Sequence, residues 1–130
     1  MGKSLNKAID QGQIEGAYMQ GFGWLTIEEL ILDKKGAYLT NTPSTYKIPT
    51  IKDLPQEMSI DIIERKTIHS SVQGSKAIGE PPFIYGMSVY FAIKNAIESI
   101  ADYKIEANLK IPATPESIIM AVEKLKSKLL

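Results

Sequence analysis

The sequence predicts an α+β domain over residues 1–130, with about three helices packed on a small mixed or antiparallel sheet. Three observations carry that prediction. Apolar residues recur at three- and four-residue spacing over 13–32 and again over 82–101. Thr114-Pro115 opens a third stretch of the same kind near the end. Short runs at 37–40 and 59–64 have the composition and alternation of strands.

Over 13–32, Ala17, Met19, Phe22, Trp24, Leu25, Ile27, Leu30 and Ile31 fall on one helical face. Gly12, Gly16, Gly21 and Gly23 oppose the helix, since each glycine costs about 1 kcal/mol relative to alanine. Small residues are useful where something must approach closely. Tight helix packing and contact with a ligand are equally open readings. Asp33-Lys34-Lys35-Gly36 is a turn, and 37–40 returns from it as a hairpin partner for 30–32. Residues 41–56 carry Pro43, Pro49 and Pro55 among threonines and serines, which predicts an ordered, irregular segment. Within it Ser44, Thr45, Tyr46 and Lys47 read as residues that order the loop.

Ile60, Ile62 and Ile63 mark a strand over 59–64, and 69–79 is a polar loop punctuated by glycine. The clearest helix follows over 82–101, with Met87, Phe91, Ile93 and Ile97 on its apolar face. Pro81 and Pro82 stand at its start, where prolines are tolerated. Thr114 is the N-cap of the last helix and Pro115 its first residue. That helix reaches about Lys128 and ends in lysines, as the helix dipole favours.

Fifteen basic residues balance fifteen acidic ones, with no basic cluster, which argues against nucleic acid as a partner. With no cysteine there is no disulfide, thiolate nucleophile or cysteine metal site, and His69 alone cannot build a zinc site. No apolar run approaches the ~20 residues of a membrane span. The first ten residues lack the apolar core of a signal peptide. A cytoplasmic protein is the expectation.

Glu80 is the most informative residue. It lies between Gly79 and the Pro81-Pro82 pair, at the mouth of the expected helix. Glycine allows close approach of a ligand, and proline fixes the exit of the chain. The helix dipole favours an ionised carboxylate there, and burial in a dry cleft opposes it. A general base needs the two in balance. On the residues alone, helix capping is the first reading of Glu80, since charged residues are common in a helix's first turn. Gln13, likewise, can be a surface glutamine near a helix start.

Ser75-Lys76-Ala77-Ile78-Gly79-Glu80-Pro81-Pro82-Phe83, followed by 88–97, resembles the carboxy-terminal part of the molybdenum-binding region of the xanthine dehydrogenase and aldehyde oxidase family. Three earlier stretches agree in order and spacing. They are Gly2–Asn6 with 8–10, 12–17 with Gln20-Gly21 and 28–30, and Ser44-Thr45-Tyr46-Lys47-Ile48-Pro49. The resemblance runs from residue 2 to about 101 and continues weakly through 112–116.

It implies that the chain is one partial domain, 1–130, of a larger molybdopterin-binding domain. It implies hydroxylation of an electron-poor carbon in a heteroaromatic ring or aldehyde, with the new oxygen taken from water. The glutamate matching Glu80 is the family's catalytic base, acting toward a hydroxide on molybdenum. A metal makes its own hydroxide acidic, so a modest base suffices. Gln13 matches a glutamine that hydrogen-bonds the molybdopterin; an amide both donates and accepts without adding charge.

Ser75, Lys76 and Gly79 are expected to shape the same pocket, although Lys76 reads equally as a solvated loop charge. Iron–sulfur clusters and FAD are expected elsewhere in the complete enzyme. The remainder of the molybdenum-binding subunit is the expected partner, and the isolated chain is expected to be inactive. A surface facing that missing part would be apolar, so the chain is expected to self-associate or to need a partner. The alternative is a non-catalytic remnant that serves as an assembly or binding module.

Overall fold

Asn6 starts the first helix: its side-chain oxygen accepts from the Ile9 N–H at 3.2 Å. Helix α1 then runs over Lys7–Thr26 in the computed structural model, which describes residues 1–63, 65–66 and 70–129. It begins earlier and ends sooner than the apolar spacing predicts. The cap is a polar signal that periodicity does not register. The stop is local: the N–H groups of Ile27 and Glu28 both donate to the Gly23 carbonyl, at 3.0 and 2.9 Å. The buried Thr26 hydroxyl turns back onto the Phe22 carbonyl.

Past α1 and before Pro81, the described residues form no α-helix, only the short 3₁₀ turns Ile51–Asp53 and Val72–Gly74. The single-turn 3₁₀ segment Ile51–Asp53 opens on a reciprocal cap, in which Thr50 and Asp53 satisfy each other's backbone. A six-residue 3₁₀ segment, Pro81–Gly86, leads directly into α2, Met87–Ser99. The expected helix over 82–101 is therefore two elements. Two successive prolines lack N–H donors, and the tighter turn takes the place of the first α-helical turns. Helix α3, Pro115–Lys126, has the expected cap, with the Thr114 hydroxyl accepting from the Ser117 N–H at 3.2 Å.

The expected sheet is absent: among the described residues there are three α-helices and no strand, only two isolated antiparallel bridges, Gly2 to Ser75 and Leu32 to Tyr38. The hairpin at 30–40 shows why. Asp33 folds its carboxylate onto the N–H groups of Lys35 and Ala37, and the Thr40 hydroxyl takes the Ile31 N–H in place of a backbone carbonyl. Side chains thus satisfy donors that a ladder would have used. Residues 59–63 have strand composition but no partner strand, and Ile63 is 74% exposed. Strand propensity is realised only where a neighbouring strand supplies the pairing. Glu64 and His69 lie outside the described residues.

The core sits between α2 and α3. Ile97, Ala101, Ala107, Leu109, Ala113, Ala121 and Leu125 are buried there. The Tyr90 hydroxyl reaches over it to the Leu109 carbonyl at 2.9 Å. The Glu98 carboxylate accepts from the Ala107 N–H at 3.0 Å, and Lys94 bridges Glu98 and Glu106. Those contacts hold the Glu98 carboxyl below its usual range, the Ala107 N–H being the larger cause and Lys94 the second. Ala113 ties this half to the first, donating to the Leu25 carbonyl at 2.7 Å.

Candidate functional site

The Pro81–Gly86 turn lies on the second half of α1 with its backbone against the helix backbone. A Cβ on Gly21 would stand 2.1 Å from the Phe83 carbonyl oxygen, and one on Gly86 would stand 2.4 Å from the Gly21 carbonyl carbon. Beside this crossing Trp24 meets Phe83 edge-on, with centroids 5.1 Å apart and ring planes at 89°. Two of the four glycines in the first helix therefore serve packing. Gly21 receives the 81–86 turn, and Gly23 receives the Pro49 ring, whose Cδ lies 2.6 Å from where a Cβ would be. Gly12 and Gly16 do not: a Cβ on either would meet nothing within 4 Å.

Glu80 stands at the mouth of the clamped turn. Its carbonyl accepts from the Phe83 N–H at 2.8 Å, so its backbone is part of the turn. Its carboxylate makes no capping hydrogen bond, although Glu80 occupies the cap position. The capping reading thus lacks the contact that would define it. The side chain is exposed. It also faces a 3₁₀ turn rather than an α-helix end, so the dipole argument applied to it loses most of its force.

The residues ahead of it are held by the amino terminus. Gly2 bridges Ser75, the Lys3 N–H donates to the Gly74 carbonyl at 2.9 Å, and the Lys76 N–H donates to the Met1 carbonyl at 3.0 Å. Gln73 precedes them in the left-handed region, at φ 55°. Ser75 is half-buried and Lys76 exposed. At Gly79 a Cβ would meet only the Pro81 Cδ, at an ordinary 3.5 Å. Nothing among the described residues requires glycine there.

A cleft of about 780 Å³ opens beside this loop, lined by Ile14 and Tyr18 of α1, by 57–63, and by Gly79, Pro81 and Tyr85 among others. Of the residues picked from sequence, Gly79 lines the cleft. Glu80 sits between two lining residues without lining it, and Gln13, Ser75 and Lys76 stand outside it. Gln13 is exposed on α1, between the open glycines 12 and 16. Sequence reasoning missed Ile14, Tyr18 and Tyr85. The spacing of Ile14 and Tyr18, one helical turn apart and adjacent to Gln13, was the available signal.

The loop after the hairpin is ordered as its residues suggest. The Thr42 hydroxyl pairs with the hydroxyls of Ser44 and Thr45, each at 2.9 Å. The Tyr46 hydroxyl donates to Glu28 Oε2 at 2.5 Å, a bond that raises the Tyr46 pKa above its ordinary value. Tyr46 and Pro49 thereby anchor the loop to the carboxy-terminal end of α1.

Residues 1–55 match the family described as "Molybdopterin cofactor-binding domain". The fold is that of a stretch of molybdopterin-binding domain. The chain is 44% identical, over 95% of its length, to the xanthine dehydrogenase of Calliphora vicina. It superposes on quinoline 2-oxidoreductase from Pseudomonas putida 86 with a TM-score of 0.80 and 30% identity, over 95% of the chain. Cu,Mo-CO dehydrogenase shares the fold at a TM-score of 0.75 and 22% identity, over 96% of the chain. The chain belongs to the xanthine dehydrogenase and aldehyde oxidase family of molybdenum hydroxylases, whose cofactor is molybdenum-molybdopterin. It spans 9% of the length of the Calliphora relative and 15% of the quinoline enzyme's chain. Among the described residues no helix is long and apolar enough to cross a membrane.

Proposed function

We propose that this chain supplies the catalytic glutamate and part of the molybdopterin site of a molybdenum hydroxylase that oxidises a heteroaromatic or aldehyde carbon. One observation carries the reading. The Pro81–Gly86 turn, which Glu80 opens, is fixed against α1, the helix that also presents Gln13.

The residues present suit the cofactor. The Gln13 amide and the Glu80 carboxylate have no protein partner among the described residues. Gly12 and Gly16 leave open space on either side of Gln13, where a flat pterin can approach the helix. No three metal-ligating side chains cluster among the described residues, so the chain addresses the organic part of the group. The bound group supplies the oxidising power and a Lewis-acid centre.

Gln13 would hold the pterin through its amide, donating and accepting at once. Glu80 would accept a proton at a carboxylate oxygen, from the water that becomes the substrate's new hydroxyl. The Phe83 N–H bond to the Glu80 carbonyl fixes the backbone that carries it. Ser75, Lys76 and Gly79 would shape the loop ahead of the base, and the tie to the amino terminus holds that loop in place.

The partner in this reading is the remainder of the molybdenum-binding region. Exposed apolar side chains support it: Ile9, Ile84, Tyr85, Ile119 and Met120 are each more than half exposed. Iron–sulfur clusters and FAD belong to other parts of the complete enzyme. Producing the chain together with that remainder should yield a complex that retains molybdenum, and Gln13→Ala should lower its molybdenum content. A complex in which Gln13→Ala leaves molybdenum content unchanged would remove Gln13 from the cofactor site. The assembly-module alternative predicts that the complex forms and that turnover ignores Glu80.

A further inference from the structure

The geometry points to Gly21 and Gly86 as positioning residues for Glu80: the backbone crossing they permit sets where the carboxylate stands. This rests on the proposed role of Glu80 and adds the element that aims it. Three observations meet at the crossing.

First, the contact is between backbones. A Cβ on Gly21 would fall 2.1 Å from the Phe83 oxygen and 3.1 Å from its carbon, and one on Gly86 would fall 2.4, 2.5 and 2.7 Å from atoms of Gly21 and Phe22. Backbone atoms cannot swing aside as a flexible side chain can, so either substitution must lift the whole 81–86 turn from the helix by roughly 1 Å.

Second, Glu80 is coupled to the lifted atoms. The clashing Phe83 carbonyl belongs to the residue whose N–H holds the Glu80 carbonyl at 2.8 Å. Pro81 and Pro82 occupy the positions between them, and their fixed φ angles leave little backbone freedom to absorb a shift. A displacement at Phe83 is therefore passed on to Glu80.

Third, α1 is the common frame. Gln13 lies eight residues before Gly21 on the same helix, about 12 Å along its axis at the α-helical rise. The crossing thus fixes the base relative to the helix that carries the proposed cofactor contact. A base misplaced by about 1 Å can cost on the order of 100-fold in rate.

Gly21→Ala tests this with two readouts. Trp24 is the chain's single tryptophan and rests on Phe83, so its emission reports the crossing directly in the 130-residue chain. The expected result is a shifted Trp24 emission with the helical circular dichroism retained. In the complete enzyme kcat should fall about 100-fold, with KM and molybdenum content unchanged.

Leu125→Ala, in the remote core, is the control for lost stability and should leave kcat and Trp24 emission in place. If Gly21→Ala does not accumulate, Phe83→Leu decides. It removes the edge-on ring contact that braces the crossing, introduces no clash, and should lower kcat about 10-fold at constant KM. Wild-type kcat in Gly21→Ala, or in Phe83→Leu where that variant decides, would overturn the positioning role even if Glu80→Gln is inactive. An active Glu80→Gln would instead overturn the base assignment on which it rests.

Discussion

Replacing Ile97 by alanine should remove a large share of the chain's stability. Ile97 is 3% exposed and belongs to the buried cluster between α2 and α3. The substitution deletes three carbons from that site, which is about 2.5 kcal/mol of transfer free energy at roughly 0.8 kcal/mol per methylene. Four of the other six buried residues of that cluster are alanines, Ala101, Ala107, Ala113 and Ala121. Alanines have no side chain with which to fill the space, so a cavity term adds to the loss and brings the total to about 3–4 kcal/mol. For a chain of 130 residues, that lowers Tm by about 10–15 °C. Thermal unfolding followed by circular dichroism measures it. Ile119→Ala is the paired control, because Ile119 is 62% exposed on α3 and its loss should shift Tm by no more than about 2 °C. Equal shifts in the two variants would refute the placement of the core.

Two further outcomes follow from the same contacts. The Glu98 carboxyl is held low by the Ala107 N–H and then by Lys94, so the ionised form is the one that binds. Its contribution is present above the ordinary glutamate range and is lost as pH falls through the lowered folded value. Hydrogen exchange at the Ala107 amide should therefore speed up in acid, corrected for intrinsic rates, and Glu98→Ala should give that fast exchange at neutral pH. An Ala107 amide that stays protected in Glu98→Ala would contradict the assignment. The chain alone should also self-associate as its concentration rises, because Leu30, Ile48, Ile84 and Tyr85 are all largely exposed. Size-exclusion chromatography with light scattering checks this, and a clean monomer at high concentration would count against it.

What the sequence made legible was local. The α3 cap follows from Thr114-Pro115, because both signals act within one turn. Glu80 stood out because glycine and proline flank it in the chain. The sheet expected from sequence does not form because a strand is a pairing. The isoleucines at 60, 62 and 63 alternate correctly, yet in the described chain nothing pairs with them, and Asp33 and Thr40 satisfy the hairpin's donors with side chains. The four glycines of the first helix could not be sorted by sequence, since only the crossing with Phe83, Gly86 and Pro49 separates packing glycines from open ones. The cleft was invisible for the same reason: it joins Tyr18, Gly79 and Tyr85 from distant parts of the chain.

The central claim is that Glu80 is the base. Glu80→Gln keeps the size and hydrogen-bonding capacity of the side chain and removes its ability to take a proton at neutral pH. The decisive measurement is the turnover of the complete enzyme carrying this substitution, alongside its molybdenum content. Turnover reduced at least about 100-fold with molybdenum content unchanged is the predicted result. Intact turnover would contradict it.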